Sequence, residues 1–299
     1  LAQEAGQSIK KGIVERMIRH LPASTVRKLG IFAHGEEKVS VHRDEPVFDG
    51  QFSNRCYQQA VRQAFHNFVQ KAERSGRYDK EKDERFTEQW GRIIMHLPYA
   101  YQAKRMFPDV FRHDREDTEM WSEVAEQLGP APEPHNSDDP VIIEIWEKAM
   151  DGYRRAISKT PQYMDFHASR IEKGQRASSL IGNQYTGSIF LALMSTFESD
   201  LEENTNLDNE LFGLCGYGSG AKAKVFEGKV SPRWREVVSR WNLFERLAGR
   251  VAIDHITYEN LHKGLQNGSV VAPEGEFALI EIGESGVQEG ARRYKWIDA

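Results

Sequence analysis

Three short stretches hold side chains or backbone suited to work at a carbonyl or an anion. His96 closes the run Arg92-Ile93-Ile94-Met95-His96 and is followed by Leu97-Pro98. A residue before proline avoids the helical region, and proline suits the first turn of a new helix. The pattern predicts a strand, a sharp exit and a helix over residues 98–111, with His96 at the carboxyl end of the strand. Ligands of open α/β sheets sit at such ends. Lys104 and Arg105 follow within the helix, and a helix start with cations attracts anions. A lone histidine there also reads as structural. Asn183, in Gly182-Asn183-Gln184-Tyr185-Thr186, stands before an apolar run. It is either a helix N-cap or an amide that donates to a bound carbonyl. Gly216-Tyr217-Gly218-Ser219-Gly220 lies between two extended segments. It is either a hairpin turn or a nest of backbone N–H groups that cradles an oxyanion or phosphate.

Other candidates are weaker. The ten histidines show no metal-binding spacing, and no metal site is expected. Cys56 falls near a helix start, where a thiol pKa can drop, but its setting is polar and ordinary. Cys215, between Leu214 and Gly216, reads as a small buried hydrophobe.

The elements that position these residues follow from periodicity. Tyr57, Ala60, Val61, Ala64, Phe65, Phe68, Val69 and Ala72 recur at helical spacing. Ser53 or Asn54 is the expected cap and Gly76 the stop. Further helices are expected over residues 80–89, 116–128, 139–158, 161–173, 234–249 and 254–265. A basic helix is expected over residues 9–20, with short extended segments at 29–32 and 38–42. The run 185–197 is apolar nearly all round and predicts a helix buried on every side. Strands are expected at 211–217 and 221–230, and a closing hairpin at 277–282 and 292–297. Helices and strands intermix, so the class is α/β.

The 299 residues, 39% hydrophobic and 28% charged with net charge −5, suit a globular chain with a real core. Two cysteines exclude a disulfide framework. The acidic balance argues against broad attraction to nucleic acid. No apolar run is long enough to span a membrane, and residues 1–12 carry Glu4, Gln7 and Lys10 rather than an apolar signal core. A cytoplasmic location is expected.

Met95-His96-Leu97-Pro98-Tyr99, Gly182-Asn183-Gln184-Tyr185-Thr186-Gly187-Ser188 and Gly216-Tyr217-Gly218-Ser219-Gly220, in this order and separation, resemble the carboxyl-terminal half of hydroxymethylglutaryl-CoA synthase. So does Pro46-Val47-Phe48-Asp49-Gly50 leading through Ser53 into a helix. The resemblance implies a thiolase-like layered α-β-α-β-α sandwich, of which residues 46–299 form mostly the carboxyl-terminal half, with a helical insertion around 112–174. Residues 1–45 are then the end of, or a link from, a missing amino-terminal half. It also implies an acyltransferase of the mevalonate route to isoprenoids, usually a homodimer. Acetyl-CoA and acetoacetyl-CoA condense with water to hydroxymethylglutaryl-CoA and CoA. A cysteine is acetylated, a glutamate removes a methyl proton, the carbanion attacks the ketone, and a histidine assists at that carbonyl. Coenzyme A thioesters are substrates, and no separate cofactor is implied.

Carried over by motif, His96 matches the catalytic histidine and Asn183 the asparagine that orients the acyl group. Ser219, with Tyr217, Gly218 and Gly220 around it, matches the substrate-contacting serine. The family's His-x-Pro-Phe-x-Lys pattern has Tyr99 and Tyr101 at its last two defined places, so Lys104 and Arg105 are the candidates for the CoA phosphates. The family's cysteine and glutamate lie upstream of the Asp-Gly segment, and residues 1–45 hold no cysteine. The expectation is a partial enzyme, inactive alone. Two alternatives are a synthase that adds acetate branches to polyketides on an acyl carrier protein, and a non-catalytic CoA-binding or scaffold module.

Overall fold

In the computed structural model, residues 50–298 are described, apart from 134, 138, 219–221 and 267. The expected elements at residues 9–20, 29–32 and 38–42 lie outside the described residues, as do the Pro46–Asp49 segment and the Ser219–Gly220 part of the glycine-rich turn. The chain divides into two compact units between Phe244 and Glu245.

The first unit opens on α1 (Gly50–Arg74). Its apolar stripe buries Tyr57, Val61, Phe65 and Ala72, as the spacing requires. Lys71 and Arg74 sit in the last turn, where cations suit the helix dipole, and Gly76 leaves the helix at φ +70°. Ser53 and Asn54 are not caps; both lie inside the helix.

Residues 80–89 do not form one charged helix. A turn is followed by the short α2 (Phe86–Gln89), which leads into β1 (Trp90–Met95). The expected helix after Pro98 is two: α3 (Gln102–Met106) and α4 (Pro108–Arg115). Phe107 ends the one and precedes the other, because Pro108 has no N–H to continue α3 and instead occupies the first turn of α4.

Then come α5 (Glu119–Leu128), α6 (Pro140–Ile157) and α7 (Pro161–Arg170). Each starts on a side-chain cap: Thr118 accepts from the Trp121 N–H, Asp139 from Val141 and Thr160 from Tyr163. A 3-10 turn (Glu172–Gly174) and the unpredicted α8 (Gln175–Ile181) follow.

The apolar run enters α9 (Ser188–Glu202). It is not buried on every side, for Phe190 is 67% exposed. The buried positions include Ser188, Ser195, Thr196, Glu198 and Asp200. Each of these has a partner. Ser195 Oγ accepts from the Ala177 N–H at 3.1 Å and donates to the Lys173 carbonyl at 2.6 Å. The Glu198 carboxylate accepts from the Leu243 and Phe244 N–H groups at 2.6 and 3.1 Å. Asp200 is fully buried and pairs with Arg92 and Lys173. Burial opposes its charge, but hydrogen bonds from Arg92 and Lys173 prevail and hold its pKa below the ordinary carboxylate value.

The sheet is β1, β2 (Leu211–Gly218) and β3 (Lys222–Lys229) in that order. β1 and β2 run parallel, and β2 and β3 antiparallel. Side chains alternate across β2, as the strand period demands. Phe212 stacks on Phe197 of α9, while Tyr217 stacks on Tyr57 of α1. The two helices therefore cover opposite faces, giving a helix–sheet–helix layering. At Gly213 the Trp90 ring occupies the place where a Cβ would stand. Only glycine admits that fully buried indole, whose Nε1 donates to Glu227 at 3.1 Å. Residues 234–249, expected as one helix, form α10 (Trp234–Val238) and α11 (Leu243–Ala248), with Asn242 at φ +53° between them.

The second unit carries α12 (His255–His262), capped by Asp254, and a hairpin of β4 (Glu276–Ile282) and β5 (Arg292–Ile297). Phe277 pairs with Trp296 and Leu279 with Tyr294, so one hairpin face is apolar.

Candidate active site

β1 brings His96 to the carboxyl end of the sheet, as expected. The parallel register sets Met95 beside Cys215, and the His96 N–H donates to the Cys215 carbonyl at 3.0 Å. The His96 carbonyl accepts from the Tyr57 hydroxyl at 2.5 Å. Both backbone polar groups of His96 are thus held, one by β2 and one by α1.

The ring is half-buried. Its Nδ1 lies 2.7 Å from Ser188 Oγ, at the first turn of α9. Burial pushes the His96 pKa below its ordinary 6.5, so the imidazole is neutral at pH 7. Tyr217, near the end of β2, lies close to the ring although its side chain faces α1. Its ring centroid is 6.3 Å from His96 and 4.4 Å from Tyr57, on which it stacks at 22°. Burial pushes the Tyr217 hydroxyl up to about 12, so it remains a phenol and a donor.

Asn183 follows α8, after Gly182 at φ +91°. It does not cap α9. Its Oδ1 accepts from the Tyr185 N–H at 2.7 Å, closing a local turn, and the residue is exposed. Gly218 is exposed at the end of β2. Lys104 and Arg105 lie on α3. Lys104 is half-buried and Arg105 is exposed, donating to the Tyr99 hydroxyl at 2.9 Å. Arg105 lines a cavity of about 380 Å³ with Arg55, Lys148, Arg154 and Arg155. His96 does not line that cavity.

The structure therefore joins His96 and Tyr217 and adds Ser188 and Tyr57. Sequence reasoning passed over both. Tyr57 counted only as one more apolar residue of a stripe. The available signal for Ser188 was a hydroxyl opening an apolar run, next to a motif already singled out. Neither cysteine is suited to attack a thioester. Cys56 is 2% exposed, and Cys215 is fully buried with its thiol pushed up to about 12 by burial.

A neutral imidazole at a strand end beside a phenol can donate hydrogen bonds to a developing oxyanion. That geometry sits on a fold shared with thiolase-like synthases. MvaS in complex with 3-hydroxy-3-methylglutaryl coenzyme A superposes with a TM-score of 0.61 at 25% identity, over 86% of this chain and 53% of that one. The curacin-pathway HMG synthase in complex with holo donor-ACP aligns with a TM-score of 0.55 at 17% identity, over 85% and 52%, a likeness of fold. Among curated proteins, the hydroxymethylglutaryl-CoA synthase of Haloferax volcanii is 25% identical over 85% of this chain and 54% of its own length. That of Saccharomyces cerevisiae is 22% identical over 80% and 47%. The family model for the hydroxymethylglutaryl-coenzyme A synthase C terminal matches residues 38–268. The chain belongs to the hydroxymethylglutaryl-CoA synthase family and corresponds to its carboxyl-terminal part. It spans about half the length of the curated relatives it matches.

Proposed function

We propose that this chain supplies the carbonyl-activating half of a condensing enzyme that joins acetyl-CoA and acetoacetyl-CoA to give hydroxymethylglutaryl-CoA. The observation that carries the reading is His96, fixed at the end of β1 by contacts to β2, α1 and α9. In the proposed step, the carbanion of an acetylated cysteine adds to the acetoacetyl ketone. A carbon–carbon bond forms, and the ketone oxygen takes up the electron pair. His96 Nε2–H donates a hydrogen bond that stabilises the alkoxide, and a solvent water supplies the proton that completes the tertiary alcohol. Tyr217 lies close enough to His96 to share the same oxygen-binding region. Asn183, Gly218, Ser219 and Gly220 are proposed to orient the acyl group.

The acetylated cysteine and the base that removes the methyl proton belong, in this reading, to the amino-terminal half that the relatives carry. Arg105, with the guanidinium groups of Arg55 and Arg155 beside it, is the candidate to meet the CoA phosphates, and Lys104 is the second. Coenzyme A thioesters serve as substrates without a further cofactor. The proposed setting is a homodimer in the cytoplasm, serving isoprenoid synthesis.

The test is CoA release from the two thioesters by the complete enzyme. His96→Ala is expected to lower kcat by about 10²–10⁴-fold with circular dichroism unchanged. Unaltered turnover overturns the reading. Turnover only with an acetoacetyl group on acyl carrier protein redirects it to polyketide branching.

A further inference from the structure

Ser188 is fully buried at the start of α9, where the sequence is otherwise apolar. Its hydroxyl has two hydrogen-bonding neighbours among the described residues. The Leu97 N–H donates to Oγ at 3.1 Å, and His96 Nδ1 lies 2.7 Å from the same oxygen. Proton counting fixes the direction of the second contact. A backbone amide can only donate, so Oγ accepts from Leu97. The hydroxyl keeps one proton and one lone pair. If Nδ1 carried a proton, it would donate to that lone pair. The hydroxyl proton would then have no acceptor among the described residues, on a side chain that is fully buried. If Nδ1 is bare, the hydroxyl proton donates to it and every group is satisfied. No other hydrogen bond to the His96 ring is found among the described residues.

We propose that Ser188 is a positioning residue that sets the tautomer of His96, holding Nδ1 as acceptor and leaving the proton on Nε2. The same hydroxyl fixes the ring's rotation and the exit of the chain at Leu97. Serine does here what a carboxylate does in other catalytic pairs, with one difference. A carboxylate accepts from Nδ1–H and favours imidazolium. A hydroxyl already occupied by a backbone donor donates a hydrogen bond to Nδ1 and favours neutral imidazole. The proposal rests on the reading of His96 given above, but its test needs neither turnover nor ligand.

The chain is labelled with ¹⁵N at histidine, and long-range proton–nitrogen correlations identify which His96 nitrogen carries the proton. The His96→Gln spectrum assigns the signals. The wild-type ring is expected to be protonated on Nε2 alone at neutral pH. Ser188→Ala is expected to add a measurable Nδ1–H population, and Ser188→Thr, which keeps the hydroxyl, to restore the single form. A wild-type ring protonated on Nδ1 overturns the proposal, and so does an unchanged tautomer in Ser188→Ala. If Ser188→Ala fails to fold, the wild-type tautomer and Ser188→Thr still decide. Failure of the condensation assay with this spectrum intact would sink the proposed reaction but leave the Ser188 assignment standing.

Discussion

At the scale of single residues, burial decides what a histidine does at neutral pH. His113 illustrates this away from the candidate site. Burial is the main cause that pushes its pKa down to about 4. Arg112, Arg62 and His66 push the same way, and Asp109 opposes them. Arg112 donates to its Nε2 at 3.1 Å, which suits a neutral ring. The contact from its Nδ1 to Glu116 at 3.5 Å is therefore not an ion pair at pH 7. The unfolded chain binds this proton near pH 6.5, whereas the folded one resists it until about pH 4. The stabilising contribution is complete above pH 6.5 and is lost as the pH falls towards 4. Melting temperatures measured between pH 7 and 4 should fall less steeply for His113→Gln than for the wild type. Equal slopes would show that His113 is not the group responsible. His96 and His113 look alike in the sequence. What separates them is the three-dimensional company each keeps, because Ser188 is 92 residues from His96.

At the scale of elements, polar side chains hold α9 to its neighbours. Asp200 joins α9 to β1 through Arg92 and to the turn before α8 through Lys173. Asp200→Asn removes the charge that both cations face, in a site where Arg92 is 13% and Lys173 18% exposed. A loss of about 3 kcal/mol is expected from the urea unfolding midpoint. A loss below about 1 kcal/mol would mean that the cations relax to water. The strands, long helices and closing hairpin were legible because their period announces them locally. The caps Thr118, Asp139 and Thr160 emerge only from the structure. The breaks within 98–115 and 234–249 were less legible. The helix expected over 98–111 runs straight through Pro108, a break signal that the apolar pattern around it outweighed. The all-buried reading of α9 failed for a related reason. Apolar residues mark what can be buried, whereas Glu198 and Asp200 are buried because partners distant in sequence satisfy them.

At the scale of the whole molecule, stability is unevenly distributed. The sheet of the first unit is closed in by α1 and α9 around Trp90, Tyr57 and Ile94, each at most 1% exposed. The β4–β5 hairpin of the second unit has Phe277 at 69% and Tyr294 at 58% exposure. A two-stranded ribbon is marginal without a covered face. Amide exchange is expected to be fastest in β4 and β5 and slowest in β1 and β2, as read by mass spectrometry of peptic fragments. Equal protection of both would show that the hairpin is covered in solution. The site's membership was only half legible at this scale. His96 and Tyr217 came from motifs, whereas α1 and α9 meet them only through the fold.

The anchoring of His96 also bears on how such a site can change. Its backbone and ring are tied to β2, α1 and α9, so its position is insensitive to alterations nearby. Asn183 and Tyr185 are exposed, and Tyr185 has 77% of its surface open. A chain arranged this way can vary these exposed positions by substitution after substitution while the His96 ring stays where it was. Under the proposed reaction, new acyl groups, longer or differently carried, are then tried without rebuilding the chemistry.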